Sequence, residues 1–289
     1  MEQKEEQIIA SVDGSVGSLA VCEAAAWVAS RLDRSLLLLH TLERRQQHGA
    51  DDWSGAIGLG AQSELLERMA QLDQERGRLA MQYGKTLLTE AQSRALAYGA
   101  LNVETLLRHG DFVEALVELE AQARLMVVGK VGTDHAGEFT ALGSHIESLI
   151  RQVHTSILIT GAQFTPPQSF MLAYDGRDTA ERSLDRIIKG GLLTGLPCHL
   201  VMVGHDDAAH TDKFEAATLR LKNEGYEVAA SVIEGSGSVT DSLLNYQREN
   251  DIGLLIMGAF AHSKVRHLFL GSNTIRMIQS SLSPLIVLR

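Results

Sequence analysis

The chain has 289 residues and a formal net charge of −10. This length fits two ordinary domains, and the charge disfavours nucleic acid as a partner because phosphate backbones require concentrated Lys and Arg. A charged N-terminus and the lack of an apolar run of about 20 residues predict neither a signal peptide nor a membrane span, and therefore a cytoplasmic location. Cys22 and Cys198 are the only cysteines, and their positions indicate two reduced thiols rather than a metal site.

Two stretches of the chain repeat the same order of predicted elements once Asp13 is placed on Asp175. Each begins with an apolar strand that ends in Asp-Gly, continues with an amphipathic helix and returns in a second apolar strand. Short, nearly continuous apolar runs between helical patterns predict parallel strands that are covered on both faces. The predicted elements are strands at 8–12 and 170–174, helices at 18–30 and 180–193, and strands at 36–41 and 198–203.

The later parts of the two stretches also match. Between 43 and 99 the first copy carries a polar loop and a long helix at about 63–97, which the second copy shortens to 206–224. The remaining predicted elements are strands at 103–107 and 228–233, helices at 113–123 and 239–249, and strands at 125–128, 254–257, 156–160 and 285–288. This order predicts an α/β fold of two tandem doubly wound, Rossmann-like domains, each with a five-stranded, mostly parallel sheet.

The domains are predicted at 1–162, with the long helical insert at about 43–99, and at 168–289. The segment between them contains two adjacent prolines, which make a stiff spacer. The closing strand of each copy is apolar and ends at a sheet edge, and an uncovered edge invites pairing. We therefore expect the two copies to pair through these strands within the chain. A homodimer that uses the long insert is a further expectation.

A glycine-rich loop follows the fourth strand of each copy. The first reads Gly-x-x-Gly, ten further residues and Gly-Ser over 129–144, and the second reads Gly-x-x-Ala, nine further residues and Gly-Ser over 258–272. Glycine at a strand end lets a ligand approach the backbone, and a Gly-Ser helix start presents amide groups and the positive end of the helix dipole. Since ligands of doubly wound sheets bind outside the carboxyl ends of the strands, both loops are predicted to bind anions such as phosphates.

The loop spacing resembles the G-x-x-G-x9-G-[S/T] signature of the universal stress protein (UspA-like) family. The opening strand that ends in Asp-Gly and the closing stretch at 271–288 are similar to that family too, so the resemblance covers nearly the whole chain apart from the insert. It implies an adenine-nucleotide pocket in each copy, in which Asp13 with Thr41, or Asp175 with Val203, flank the adenine and ribose. The glycine loop and the Gly-Ser helix start would hold the ribose and phosphates, with ATP as the ligand and Mg²⁺ beside it.

The two loops depart from the signature in different ways. The first has one residue more and carries Asp134 and Glu138, whose carboxylates would repel a triphosphate. The second keeps the spacing but has Ala261 in place of the second glycine. Its loop is also basic, with the side chains His262, Lys264, Arg266 and His267. Because cations of this kind attract phosphates, we weigh them above one methyl group and expect the second copy to be the better nucleotide site.

The predicted nucleotide-binding residues belong to strand ends, glycine loops and helix starts. They are Asp13, Thr41, Val128, Gly129, Gly132, Gly143 and Ser144 in the first copy, and Asp175, Val203, Met257, Gly258, Ala261, His262, Lys264, Arg266, Gly271, Ser272 and Asn273 in the second. Two alternatives remain open. The glycines can be plain turns between strand and helix, and Asp13 and Asp175 can serve as helix caps or turn formers.

The sequence lacks the arrangements that an enzyme needs. It has no G-x-S-x-G elbow, no metal-ligand cluster and no Walker frame around Lys130. No residue is therefore assigned a catalytic or metal-binding role, and slow ATP hydrolysis is the most that we expect. The leading hypothesis is a nucleotide-responsive regulatory protein of the stress response. The alternatives are a scaffold of the same fold that acts through protein association or another small ligand, and an adenylate-forming or nucleotide-hydrolysing enzyme.

Overall fold

A computed structural model describes residues 6–42, 59–130, 144–204, 208–235, 237–259 and 272–289. Strands and helices alternate in both copies, as the apolar runs and amphipathic patterns predict. The first copy contains β1 (Gln7–Ser11), α1 (Ser18–Leu32), β2 (Leu36–Leu42), α2 (Leu59–Ala97), β3 (Val103–His109), α3 (Phe112–Leu119), β4 (Ala123–Gly129), α4 (Ser144–Gln152) and β5 (Ile157–Thr160). The second contains β6 (Phe170–Ala173), α5 (Asp178–Gly190), β7 (Cys198–Val203), α6 (Ala208–Asn223), β8 (Val228–Ile233), α7 (Val239–Glu249), β9 (Leu254–Gly258), α8 (Ser272–Ser280) and β10 (Leu285–Leu288).

The strands form one ten-stranded sheet with the order β3-β2-β1-β4-β5-β10-β9-β6-β7-β8. Within each copy all strand pairs are parallel. The order reverses direction between β1 and β4 in the first copy and between β6 and β9 in the second, which are the switch points of a doubly wound sheet. The predicted α/β fold of two Rossmann-like repeats is confirmed, and the two predicted sheets are joined into one.

The two copies meet at the centre of the sheet, where β5 and β10 run antiparallel. Ile157 lies beside Val287 and Leu158 beside Ile286, and all four side chains are buried. Each half of the strand order is the mirror of the other about this pair, so the copies are related by a pseudo-two-fold axis between β5 and β10. The predicted pairing through the apolar closing strands is confirmed, and it removes both sheet edges that these strands would otherwise expose.

Helices cover both faces of the sheet in both copies. α1, α2, α5 and α6 pack on one face, and α3, α4, α7 and α8 pack on the other. Both cysteines are free and buried in the first of these layers. Burial, with a smaller contribution from the charge of Glu23, raises the pKa of Cys22 to about 12, and burial raises the pKa of Cys198 to about 12. Both thiols therefore stay protonated and act as small apolar groups.

Two cations cap helix ends across the contact between the copies. Lys130, directly after β4, donates to the carbonyl oxygens of Gln279 and Ser281 at the end of α8, the latter at 3.0 Å. Arg289, directly after β10, donates to the carbonyl oxygen of Val153 at 2.9 Å, just past the end of α4. Positive charge is favourable there because the last carbonyl groups of a helix lack partners within it. The capping is reciprocal, so each copy supplies one cation to the other.

Two predicted helix ends are wrong. The helix predicted at 113–123 ends at Leu119, because a 3₁₀ turn follows and leads directly into β4. The helix predicted at 180–193 ends at Gly190, because Gly191 adopts the left-handed conformation with φ 75° and stops the helix there. In both cases the apolar periodicity continues past the end of the helix and hides it.

Candidate functional site

The first candidate site is the pocket expected where the chain leaves β1, at Asp13 and Gly14. The Asp13 Oδ1 atom accepts hydrogen bonds from the Ser15 amide and the Ser18 hydroxyl, both at 2.9 Å. The Ser18 Oγ atom accepts a further hydrogen bond from the Gly14 amide at 2.9 Å. Gly14 has φ 80°, a conformation that favours glycine. Asp13 therefore holds the turn from β1 into α1, and its position is fixed by the backbone around it.

Asp175 takes the same place after β6 in the second copy. Its Oδ1 atom accepts a hydrogen bond from the Arg177 amide at 3.1 Å, and its Oδ2 atom lies 3.7 Å from Arg177 Nε. Gly176 repeats the left-handed conformation with φ 69°. The turn-forming role that the sequence left open is thus present in both copies. Both carboxylates also lie at the switch points of the sheet, at the carboxyl ends of the strands, which is where doubly wound folds bind ligands.

The second strand of each copy ends close to the Asp-Gly turn of that copy. Thr41 of β2 and Val203 of β7 are both half-buried, and each belongs to the same sheet edge as the Asp-Gly turn of its copy. Next to Thr41 lies the buried side chain of His40, whose Nδ1 atom is 2.7 Å from the carbonyl oxygen of Val12. This contact ties the end of β2 to the end of β1.

The fourth strands reach the same edge through an apolar residue and a glycine. Val128 and Met257 are buried, and Gly129 and Gly258 follow them as the last residues of β4 and β9. A β-carbon on Gly258 would lie 3.0 Å from the hydroxyl oxygen of Ser183 in α5. A side chain at Gly258 would therefore crowd α5, which gives this glycine a packing reason as well as a predicted binding role.

The helix starts that the loop spacing predicts are found in both copies. α4 begins at Ser144 and α8 at Ser272, and Asn273 is exposed in the first turn of α8. The other predicted loop residues lie outside the described part of the chain, namely Gly132, Gly143, Ala261, His262, Lys264, Arg266 and Gly271. The structure thus brings the strand-end residues of each copy to one edge of the sheet, and the roles of the loop residues remain predictions.

Tyr83 of α2 contacts the first pocket, although the sequence patterns assign it no role. A β-carbon built on Gly14 would lie 2.0 Å from the Tyr83 hydroxyl oxygen, so this hydroxyl lies directly against the turn that Asp13 forms. The Tyr83 ring also meets the ring of His40 edge-on, with 6.3 Å between the ring centroids. The insert helix therefore packs against the turn at Asp13 and Gly14, next to the expected first pocket. The only signal in the sequence is an aromatic residue in the long helix.

In the second copy α6 contacts the corresponding turn, and it carries a cation. The Lys213 Nζ atom donates to the carbonyl oxygen of Gly176 at 2.9 Å. Beside it, the Tyr174 hydroxyl donates to Glu181, whose second oxygen accepts from Arg220 at 2.9 Å. Burial, followed by the hydrogen bond to Glu181, raises the pKa of Tyr174, so this hydroxyl remains a donor. An ammonium group thus lies at Gly176, where the first copy places a phenol at its own turn.

Within the ranges given above, His, Cys, Asp and Glu side chains do not form a group of three that could hold a metal ion. In the same ranges, helices lack the length and apolar character that crossing a bilayer requires.

Burial lowers the pKa of Lys130, and its ammonium group is engaged by the carbonyl groups at the end of α8. Lys130 therefore serves the contact between the copies.

A sequence profile of the universal stress protein family matches residues 6–161 and again residues 168–289, once for each copy. The chain belongs to the universal stress protein family. The identification from the loop spacing and the Asp-Gly strand ends is confirmed.

Relatives of similar length share the two-domain arrangement of this universal stress protein. Universal stress protein Slr1230 of Synechocystis sp. is 29% identical over 286 residues, which cover 98% of this chain and 99% of that protein. A crystal structure of a universal stress protein from Archaeoglobus fulgidus DSM 4304 aligns with a TM-score of 0.70 at 17% identity, and the alignment covers 99% of this chain and 97% of the other. A functionally unknown protein from Pseudomonas aeruginosa PAO1 aligns with a TM-score of 0.62 at 15% identity, covering 99% and 93%. Both structural likenesses concern the fold.

Proposed function

We propose that this universal stress protein binds adenine nucleotides, with ATP as the ligand and Mg²⁺ at its phosphates, and that the bound state regulates partner contacts in the cytoplasm. The observation that carries the proposal is the repeated Asp-Gly turn at the switch point of the sheet, with Asp13 in one copy and Asp175 in the other. Doubly wound sheets bind ligands at this edge. The helix starts at Ser144 and Ser272 support the proposal, because the N-terminal end of a helix favours phosphate groups.

The second copy is proposed as the stronger ATP site. Its turn is contacted by the ammonium group of Lys213, whereas the first copy has the uncharged Tyr83 in direct contact with its turn. The loop charges act in the same direction, because the loop at 258–272 is basic and the loop at 129–144 contains two carboxylates. Opposite charge attracts the phosphates and like charge repels them, with salt screening both effects. We propose that the first copy binds ATP weakly or takes a less charged adenosine ligand.

The nucleotide function is tested first on protein as purified, by releasing bound nucleotide with heat and identifying it by chromatography. Calorimetry then compares the ATP affinity of the wild type with that of Arg266→Ala. Loss of one charge-assisted phosphate contact is worth about 1.5–3 kcal/mol, so we expect affinity to fall about ten- to hundredfold. Arg248→Ala, which alters an exposed arginine of α7, is the matched control and should bind as the wild type does.

Two outcomes of this experiment contradict different parts of the proposal. Unchanged ATP affinity in Arg266→Ala would remove that side chain from the site while leaving the pocket in place. A wild-type protein that carries no nucleotide and gives no heat with ATP would overturn the nucleotide function. The scaffold alternative would then be the better account of the fold.

A homodimer through α2 is part of the proposal. Side chains 67–83 of this helix are all exposed. Met69, Leu72 and Leu79 lie on one face of it, and their exposure ranges from 43% to 54%. The part of a helix that has no packing partner is marginally stable in water. Apolar residues that repeat every seven positions, with others three or four positions away, form the seam through which two helices pack. The stripe therefore fits the same stripe of a second chain.

A further inference from the structure

A cavity of about 420 Å³ opens between the two copies, in the groove between α1 and α5. Its floor is the apolar face of the central strands, and Leu32 at the end of α1 and Leu192 after α5 close its sides. The floor residues are Leu125, Ile256, Ile286 and Leu288. Cavities of this size hold small organic ligands, and the apolar floor would bury a hydrocarbon chain or a ring.

Cations dominate the rim of this cavity. They are Arg124 from the first copy and Arg182, Arg186 and Lys189 from the second. One carboxylate, Asp185, lies among the lining residues, and the guanidinium of Arg220 in α6 holds it in an ion pair. The rim therefore has an excess of positive charge over an apolar floor.

Arg186 contributes most clearly to this excess. Its Nη1 atom donates to the hydroxyl of Ser156 in the first copy at 3.3 Å, and a neutral hydroxyl does not balance its charge. Burial, followed by the charges of Arg124 and Arg182, lowers the pKa of Arg186. The three guanidinium groups thus disfavour one another in the ligand-free protein, and an anion placed among them would relieve that repulsion.

The two neighbouring arginines are held by weak contacts. Arg182 Nε donates to a backbone carbonyl within its own helix at 3.2 Å. Arg124 donates to the carbonyl oxygen of Gly190 at 3.4 Å, and its Nε atom lies 3.9 Å from an exposed carboxylate oxygen of Glu6. Exposed pairs of this kind contribute little to stability. Arg124 and the two α5 arginines can therefore turn toward a bound anion at small cost.

The fold itself does not require these charges, as the other copy shows. With Asp13 placed on Asp175, the α1 positions that match Arg182, Asp185, Arg186 and Lys189 are Ala20, Glu23, Ala24 and Trp27. The position that matches Arg124, counted back from the last glycine of β4 and β9, is Gly253. The same helix packs on the same sheet without the cations, so the cationic rim is particular to this one side of the groove.

We propose that this cavity binds a small anionic amphiphile, whose carboxylate or phosphate monoester is held by Arg124, Arg182 and Arg186 while its apolar part lies on the strand floor. The guanidinium fork suits both of these anions. Because the arginines come from both copies, the ligand bridges them and stabilises their pairing. None of the predicted nucleotide-binding residues is among the lining residues of the cavity, so this ligand binds outside the predicted nucleotide pockets.

The test uses the full chain and calorimetry with octanoate, octyl phosphate, inorganic phosphate and octanol. We expect one site per chain for octanoate and octyl phosphate with Kd below about 1 mM, and binding at least about tenfold weaker for phosphate and octanol, which each carry half of the recognised chemistry. Arg186→Gln and Arg182→Gln should each weaken octyl phosphate binding about tenfold. Leu192→Trp fills the apolar part of the cavity without changing its charge and should abolish octyl phosphate binding. Arg248→Gln is the matched control.

Three results would each overturn the proposal. Octyl phosphate and octanoate that fail to bind would show that the cavity takes no amphiphile. Equal binding in Arg186→Gln, Arg182→Gln and Arg248→Gln would show that the rim does not hold the anion. Competition between octyl phosphate and saturating ATP would place the amphiphile in the nucleotide pocket. A melting temperature of the arginine variants at or above that of the wild type, without ligand, would show that the variants are folded and would support the repulsion among the guanidinium groups.

Discussion

Glu120, which follows α3, fixes the turn before β5 by accepting hydrogen bonds from two backbone amides. The donors are the amides of His154 and Thr155, the latter at 2.7 Å. Burial alone would raise the pKa of the Glu120 carboxyl, but the amide hydrogen bonds outweigh it and the pKa lies below the ordinary value of 4.5. A carboxyl with a lowered pKa in the folded state adds stability above its unfolded pKa, and this stability is lost as pH falls through the folded value.

We therefore predict that Glu120→Gln lowers the free energy of unfolding by about 1–2 kcal/mol at pH 7, because the charged acceptor of two amides is replaced by a neutral one. The difference from the wild type should shrink as pH falls below 4.5. Urea unfolding at several pH values measures it. Glu118→Gln is the control, since Glu118 is 63% exposed in its ion pair with Arg108. A difference that stays constant across the acid range would contradict this role for Glu120.

The places of two turn residues at the candidate site could be predicted from local sequence, whereas their roles in binding remain predictions. Asp13 and Asp175 followed from the Asp-Gly that ends an apolar strand, and the structure adds the turns that they form. Tyr83 and Lys213 could not be predicted, because each contacts a turn that lies far away along the chain. Nothing in a local pattern distinguishes these two side chains from others on the same helices.

At the scale of the elements, α2 contains two glycines in different surroundings. Gly84 packs closely against β2 and β3, and Gly77 has open space around it. A β-carbon on Gly84 would lie 2.8 Å from Leu107 and 2.9 Å from His40, whereas one on Gly77 would meet nothing within 4 Å. We predict that Gly84→Ala lowers the free energy of unfolding by about 1–3 kcal/mol, because its neighbours must move. Gly77→Ala should raise it by about 0.5–1 kcal/mol, because alanine favours the helix.

Urea unfolding of the two alanine variants provides this comparison within one helix. If Gly84→Ala stabilised the protein as much as Gly77→Ala, the close packing of α2 on the strands would be wrong, and with it the contact between Tyr83 and Gly14.

The existence and order of the elements could be predicted from periodicity, because each buried strand is an apolar run and each helix has one apolar face. The ends of the elements could not always be predicted. The end of α5 depends on the left-handed conformation of Gly191, and the end of α3 on a 3₁₀ turn. Both are decided by backbone geometry, since the apolar spacing continues beyond them.

At the scale of the whole molecule, the pairing of β5 with β10 could be predicted because two apolar edge strands require a partner. The reciprocal capping by Lys130 and Arg289 could not, because it depends on how the helix ends of one copy lie against the other. The cavity between α1 and α5 could not be predicted either, for the same reason. Such features arise only once the pseudo-two-fold arrangement is in place.

The proposed dimer through α2 is also a property of the whole molecule. We predict that the double variant Leu72→Lys with Leu79→Lys sediments as a monomer at concentrations where the wild type is a dimer, because two buried ammonium groups per chain would be desolvated in the seam. Leu219→Lys is the control, since Leu219 is 59% exposed on α6 away from the stripe. A wild type that is monomeric, or a dimer that survives the double variant, would contradict the proposal.

The proposed preference of ATP for the second copy is tested by equilibrium binding to two variants, each designed to block one helix start. Gly143→Val changes the residue before Ser144 of α4, and Gly271→Val changes the residue before Ser272 of α8; each is predicted to obstruct the phosphate end of its pocket. Because a basic loop and Lys213 favour phosphate in the second copy, Gly271→Val should remove most of the ATP bound and Gly143→Val should remove little. The reverse result would contradict the account, and would show that the glycines of the first loop matter more than the charges of the second.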